Sequence, residues 1–118
     1  MQLKITSRTI QDIVVLNCDG RILLGDESAA LRDTAKELLA QSKRLVLNLG
    51  GVSYIDSGGL GTIVSLYTTA HNAGASIKLS NLTQRVGDLL QVTKLLTIFE
   101  VYDTEEEAIQ SFRKGAAA

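Results

Sequence analysis

A short apolar segment near the middle of the chain constrains the fold most strongly. Leu45 to Leu49 is apolar throughout except at Asn48, and such a run is typical of a central strand covered on both faces. A helical pattern begins soon afterwards at Ser57, with one apolar face made by Leu60, Ile63, Val64, Tyr67 and Ala70. A buried strand followed by such a helix is the repeating unit of a parallel α/β sheet.

The rest of the chain repeats this alternation of strand and helix patterns. Leu3 and Ile5 alternate with polar residues and predict a half-buried strand, and residues 13–18 predict a more buried partner in an antiparallel hairpin. Shorter strands are predicted at 77–79 and 98–101. Helical spacing joins Leu31, Thr34, Ala35, Leu38 and Leu39, then Val86, Leu89 and Leu90, and finally Ala108, Ile109 and Phe112. The order ββαβαβαβα predicts an α/β fold with a mixed, mostly parallel sheet and an antiparallel N-terminal edge strand.

Local signals predict where these elements begin and end. We expect a loop from Gly20 to Gly25, after which Asp26 caps the first helix. Gly50-Gly51 is expected to end the central strand, and Gly74 to stop the second helix. Thr104 to Glu107 has the spacing of a capping box at the start of the last helix.

Composition favours one cytoplasmic globular domain. The chain has 118 residues, of which 45% are hydrophobic and 21% charged, so we predict a single domain over residues 1–114 and a frayed tail over 115–118. The formal net charge of −1 gives no basic surface for nucleic acid or anionic lipid. We expect no secretion signal, and no apolar run is long enough for membrane insertion. Cys18 is the only cysteine, which indicates a buried apolar residue, with a reactive thiol as the alternative.

Ser57, at the junction between strand and helix, is the candidate functional residue. A hydrolase elbow would place a glycine two residues before it, where Ile55 stands, and the only histidine, His71, lies roughly 20 Å along the helix axis. The sequence Gly58-Gly59-Leu60-Gly61 resembles a phosphate loop, but no Lys-Ser or Lys-Thr follows it. The residues therefore predict no enzymatic activity, and they offer neither a metal site nor a cofactor site.

Two roles for Ser57 stay open from the residues alone. Its hydroxyl can cap the second helix as an ordinary N-cap. It can also accept a phosphate from another protein, adding about −1.5 to −2 charge at a helix N-terminus that tolerates it. A partner docked there would then face that charge together with Asp56.

The segment Asp56-Ser57-Gly58-Gly59-Leu60-Gly61, with the strand before it, resembles the signature of the STAS domain family. Within that family it is similar to the single-domain anti-sigma factor antagonists of bacteria. The resemblance implies that the unphosphorylated protein binds an anti-sigma factor with serine kinase activity and so frees a sigma factor. The kinase would phosphorylate Ser57 and end binding, and a serine phosphatase would restore it.

The resemblance also implies a partner-binding surface on both sides of the serine, with the glycines giving clearance for the partner's backbone. Its residues would be Arg21, Ile22, Leu23, Gly25, Asp26, Asp56, Ser57, Gly58, Gly59, Leu60, Thr62 and Ser65. Arg21 stands where the family often has an acidic residue, which predicts a partner particular to this chain. A non-switching STAS adaptor or scaffold of a signalling or lipid-transport assembly is the alternative, and a small-ligand sensor is a third possibility.

Overall fold

The computed structural model describes residues 2–117, with side chains through residue 114, and it contains one five-stranded sheet in the order β1-β2-β3-β4-β5. The elements are β1 (Leu3–Ile10), β2 (Ile13–Ile22), α1 (Asp26–Leu39), β3 (Arg44–Ile55), α2 (Ser57–Asn72), β4 (Ser76–Ser80), α3 (Gln84–Val92), a 3₁₀ turn (Leu95–Thr97), β5 (Glu100–Tyr102) and α4 (Glu105–Ala117). Between residues 2 and 117 the structure has no helix that is both long and apolar enough to cross a bilayer.

The pairing of the strands confirms the predicted topology. β1 is antiparallel to β2 and forms one edge of the sheet, whereas β2 with β3, β3 with β4, and β4 with β5 are parallel pairs. Each parallel pair is joined through a helix, as such crossovers require. The order ββαβαβαβα and the antiparallel edge strand are therefore both as predicted.

Alternating side chains divide the core between the two faces of the sheet. Val14 and Leu16 of β2 point into the larger cluster, which α1, α2 and α3 cover. Ile13 and Val15 point to the opposite face, where α4 contributes Ala108, Ile109 and Phe112 to a smaller cluster. The predicted capping box holds α4 in place, because the Glu107 N–H donates to the Thr104 hydroxyl at 3.1 Å.

Two predicted boundaries are wrong because β2 and β3 pair beyond their apolar segments. Residues 20–22 belong to β2, and Gly50-Gly51 lies inside β3. Register shifts between Asn17 and Asp19 and between Gly20 and Arg21 each place an extra β3 residue in the ladder. These irregularities let the strands stay paired as far as Ile22 and Ile55, so both strands end beside the start of α2.

Two further boundaries differ from prediction, and a third is left untested. Asp26 does not cap α1, because Gly25 occupies the cap position at φ 104° and Asp26 is the first helical residue. The last strand begins at Glu100 rather than residue 98, since the 3₁₀ turn uses the preceding backbone. Residues 115–117 continue α4, so fraying of that end stays a prediction, and Ala118 lies outside the described residues.

Cys18 is 1% exposed within the larger cluster, which confirms its predicted place in the core. Burial raises the pKa of its thiol to about 12, and the neighbouring charge of Asp19 adds to the effect. Because the thiolate is the reactive form, we predict that iodoacetamide at about pH 8 labels the native protein more than a hundredfold more slowly than the urea-unfolded protein. Comparable labelling rates in the two states would contradict this burial.

Candidate functional site

Asp56, rather than Ser57, caps the second helix. Asp56 has extended backbone angles, and its Oδ1 accepts the N–H of Gly59 at 2.8 Å, which is the geometry of an N-cap side chain. Ser57 is the first residue of α2. The predicted capping role of Ser57 is therefore wrong, because the preceding carboxylate already takes the amide that the hydroxyl would need.

The same carboxylate holds the loop between β2 and α1. The N–H of Leu24 donates to both oxygens of Asp56, at 3.1 Å to Oδ1 and 3.0 Å to Oδ2. The Asp56 N–H in turn donates to the Ile22 carbonyl at 3.3 Å. These contacts hold the pKa of Asp56 below its ordinary value of 3.8, with the Leu24 amide as the main cause and the Gly59 amide next. Asp56 thus joins the start of α2 to residues 23–25.

The Ser57 side chain takes no part in capping this helix. It is exposed, and its hydroxyl makes no hydrogen bond to a described residue. The first turn of α2 contains no acidic side chain. Backbone amides and the helix dipole make such a position favourable for an added anion.

The glycines after Ser57 serve the chain's own packing. A Cβ on Gly58 would lie 2.6 Å from the Leu24 Cβ, and one on Gly59 would overlap the carbonyl oxygen of Ile22. At Gly61, by contrast, an added Cβ would have no neighbour within 4 Å. The expectation that Gly58 and Gly59 clear space for a partner's backbone is therefore wrong, since the connection between β2 and α1 fills that space.

The structure divides the proposed partner-binding residues by exposure. Arg21, Gly25, Asp26, Ser57 and Ser65 are exposed, while Leu23, Asp56 and Gly58 are half-buried. The other four are Ile22, Gly59, Leu60 and Thr62, and they are buried.

The burial of those four residues has a reason visible in each case, and direct partner contact by them stays a prediction. Ile22 and Leu60 pack in the larger core cluster, and Gly59 lies against Ile22. Thr62 turns inward and donates its hydroxyl to the Gly58 carbonyl at 3.1 Å.

Leu24 is the residue that sequence reasoning missed. It is 75% exposed, although the leucine before it, Leu23, is half-buried. Both leucines lie in the loop that Asp56 holds. The Leu24 side chain leans over Gly58, directly beside Ser57. The available signal was a second leucine in a segment expected to be a loop, where one apolar residue is enough to anchor the loop to the core.

Neither hydrolysis at Ser57 nor metal binding gains support from the described residues. His71 is exposed in the last turn of α2 and stacks on Tyr67, with ring centroids 6.3 Å apart. Within the part of the chain that the structure describes, no three His, Cys, Asp or Glu side chains are grouped to hold a metal ion. The site is an exposed hydroxyl on a rigid helix start, with an apolar side chain beside it.

Fold and site together define a class: a small α/β domain with a mixed five-stranded sheet that presents a serine at the start of its second helix. The sequence profile of the STAS domain matches residues 4–108. The chain belongs to the STAS domain family.

Several relatives of this chain are named anti-sigma factor antagonists. The chain is 35% identical over 80 residues to the anti-sigma-B factor antagonist of Bacillus subtilis, covering 68% of this chain and 73% of that protein. The crystal structure of a candidate anti-sigma factor antagonist from Thermotoga maritima matches with a TM-score of 0.83 at 25% identity, over 92% of this chain and 94% of that one.

The Bacillus antagonist SpoIIAA shares the fold in both of its solved forms. Its unphosphorylated form matches with a TM-score of 0.79 at 19% identity, over 94% of this chain and 97% of that one. Its phosphorylated form gives 0.71 at 18% identity, over 93% and 98%.

Gly59 and Gly61 form a matched pair for testing the packing at the site. We predict that Gly59→Ala lowers the free energy of unfolding by about 1–3 kcal/mol, because the added methyl overlaps the Ile22 carbonyl. Gly61→Ala should raise it by about 0.5–1 kcal/mol, since the position is helical and open. Urea unfolding of both variants measures the difference. Equal effects at the two positions would contradict the close contact between Gly59 and the Ile22 carbonyl.

Asp56 should contribute to the acid sensitivity of the fold. Its pKa is lower in the folded protein than the ordinary value of 3.8, so the unfolded chain takes up the proton first. The stabilisation is fully present above the ordinary value and is lost as the pH falls through the folded value. We predict that the unfolding midpoint of wild type falls more steeply than that of Asp56→Asn between about pH 5 and pH 2.

The NMR signals of the Leu24 and Gly59 amides report the protonation of Asp56, because both amides donate to its carboxylate. Both amide signals should move together in wild type and stay still in Asp56→Asn. Amide signals that move at or above the ordinary carboxyl pKa would contradict the hydrogen bonding described here.

Proposed function

We propose that the protein is a cytoplasmic, non-enzymatic anti-sigma factor antagonist that is switched by phosphorylation of Ser57. In the unphosphorylated form it binds an anti-sigma factor that is also a serine kinase, and so frees a sigma factor. That kinase phosphorylates Ser57 and the complex separates, and a serine phosphatase restores the binding form. The observation that carries the proposal is the exposed, unbonded hydroxyl of Ser57 at the start of α2.

Asp56 caps α2 and Ser57 does not, which supports a switch that leaves the fold intact. Because Asp56 alone accepts the Gly59 amide, a phosphate on Ser57 removes no hydrogen bond that holds α2. The helix N-terminus favours an added anion. The relative SpoIIAA has been solved in a phosphorylated form, which supports the compatibility of this fold with a phosphate.

Electrostatics supports release of the partner. A phosphate adds about −1.5 to −2 charge directly beside the Asp56 carboxylate. A partner that covers Ser57 would bury this charge without a matching cation. The cost of such an unpaired buried charge is about 2–5 kcal/mol, which corresponds to a loss of affinity of at least about thirtyfold.

The first measurement is phosphorylation by each purified anti-sigma kinase encoded in the same genome, with ATP, followed by peptide mass spectrometry. We predict phosphate on Ser57, none in Ser57→Ala and full incorporation in Ser53→Ala. Ser53 is the matched control because it is also exposed and lies four residues earlier, at the end of β3. Phosphate on another residue, with a kinase that binds the protein, would refute Ser57 as the acceptor.

Binding of the same kinase to Ser57 variants tests the consequence of the charge. Ser57→Ala should bind as wild type does, and Ser57→Asp should bind at least about thirtyfold more weakly. Both variants should unfold within about 0.5 kcal/mol of wild type, since the side chain is exposed and is not the cap. Equal binding by Ser57→Ala and Ser57→Asp would instead favour the non-switching adaptor.

A further inference from the structure

Among the described residues four large apolar side chains remain exposed, and three of them lie near the ends of β2 and β3. The four are Leu24 at 75%, Tyr54 at 39%, Val92 at 80% and Ile98 at 37%. The fourth, Ile98, precedes β5 and lines a different pocket with Ser76 and Ile77 of β4. Leu24 follows β2, Tyr54 lies at the end of β3 and Val92 ends α3. Exposed apolar residues that cluster in this way mark an interaction surface more often than scattered ones do.

Tyr54 and Val92 line one groove between the end of β3 and α3. The groove has a volume of about 330 Å³, and its lining consists of Tyr54, Ile55, Arg85, Asp88, Leu89 and Val92. Its wall continues along the backbone from Ile55 into Asp56 and Ser57. Arg21 pairs with Tyr54 in the β2–β3 ladder, and Leu24 leans over Gly58 beside Ser57. The groove and the serine therefore lie at the same end of β2 and β3.

Two arginines give this surface a positive rim. The Arg85 guanidinium carbon lies 4.8 Å from the ring centroid of Tyr54, an arrangement that holds both side chains over the groove. Arg21 faces Tyr54 across the β2–β3 ladder and is exposed. Among the described residues neither arginine forms an ion pair, although Asp88 also lines the groove.

We propose that this groove is the second half of the partner-binding surface and that its occupant is the protein that covers Ser57. The proposal rests on the function proposed above. The occupant inserts an apolar side chain between Tyr54 and Val92, and it presents carboxylates to Arg85 and Arg21. An apolar centre with a charged rim is the usual anatomy of a protein-protein interface.

Charge complementarity and continuity identify this occupant. The groove and Ser57 both lie at the carboxyl end of β3, so a protein that covers Ser57 and Leu24 is placed to extend over Tyr54. The unpaired guanidinium groups favour an acidic contact surface. A phosphate on Ser57 brings negative charge to the same surface and disfavours the same acidic occupant.

The experiment measures binding of the purified anti-sigma kinase that phosphorylates wild type, using four variants of the full chain. We expect Arg85→Glu and Val92→Ser each to weaken binding by about tenfold or more. Arg85→Glu turns an attraction for the partner's carboxylates into a repulsion, and Val92→Ser removes an apolar contact at the centre of the surface. Lys114→Glu is the charge-matched control on the opposite face of the sheet, and it should bind within about twofold of wild type. Ser57→Asp reports the switch itself. Arg85 and Val92 lie at the surface, so urea unfolding of both variants should match wild type.

The outcomes separate the two proposals. Loss of binding in Ser57→Asp with near wild-type binding in both groove variants would overturn the groove and leave the switch standing. Weak binding in the groove variants with no effect of Ser57→Asp would support the groove and overturn the switch. Equal weakening by Lys114→Glu would show a general charge effect and also overturn the groove, and wild type that binds none of the kinases would overturn both.

Discussion

The hydrogen bonds of the Asp56 carboxylate are the constraint on which the rest of the site depends. One oxygen accepts the Gly59 amide and starts α2, while both oxygens accept the Leu24 amide from the preceding connection. A single side chain therefore fixes the helix that carries Ser57 and the loop that carries an exposed leucine. Because the two are held by the same group, their relative position is set by local bonding rather than by distant packing.

The close approach of these segments explains the glycines on either side. The end of β2 and the start of α2 lie so close together that Gly59 contacts the Ile22 carbonyl and Gly58 contacts the side chain of Leu24. The irregular pairing of β2 and β3 brings the strands to that point together. A side chain larger than hydrogen at Gly59 would have to move the backbone of Ile22, and that movement would be felt by the Asp56 contacts as well.

The sequence predicts the architecture well because hydrophobic periodicity reports burial. The strand order, the edge strand and the inward faces of the helices follow from that pattern, as the split of Val14 and Ile13 between two core clusters shows. Strand ends were predicted less well, since backbone pairing with bulges continues through Gly20 and Gly51, where no apolar signal exists.

The position of Ser57 at the junction of strand and helix was predicted, but the hydrogen-bonding roles of its neighbours were not. The motif located Ser57, yet a capping carboxylate and a capping hydroxyl look equally suitable along a sequence, and only backbone geometry assigns the cap to Asp56. Exposure was equally hidden, because Leu24 follows a residue of the same type that packs inward. A motif identifies which residues come together, whereas their hydrogen-bond partners decide what each one does.

Asp56 caps α2 while the Ser57 hydroxyl stays exposed, and this difference determines how a phosphate on Ser57 would act. If the acceptor were also the cap, esterifying its oxygen would weaken the helix start, and the signal would be mixed with a change in stability. In this chain the N–H groups of Leu24 and Gly59 already donate to Asp56, so a phosphate must accept from other donors at the helix start or face solvent. The added charge then alters the surface that a partner meets while the scaffold beneath keeps its bonds. A switch of this kind changes the affinity for a partner and not the fold. The proposed contacts of that partner are the exposed Leu24 and the groove beside Tyr54.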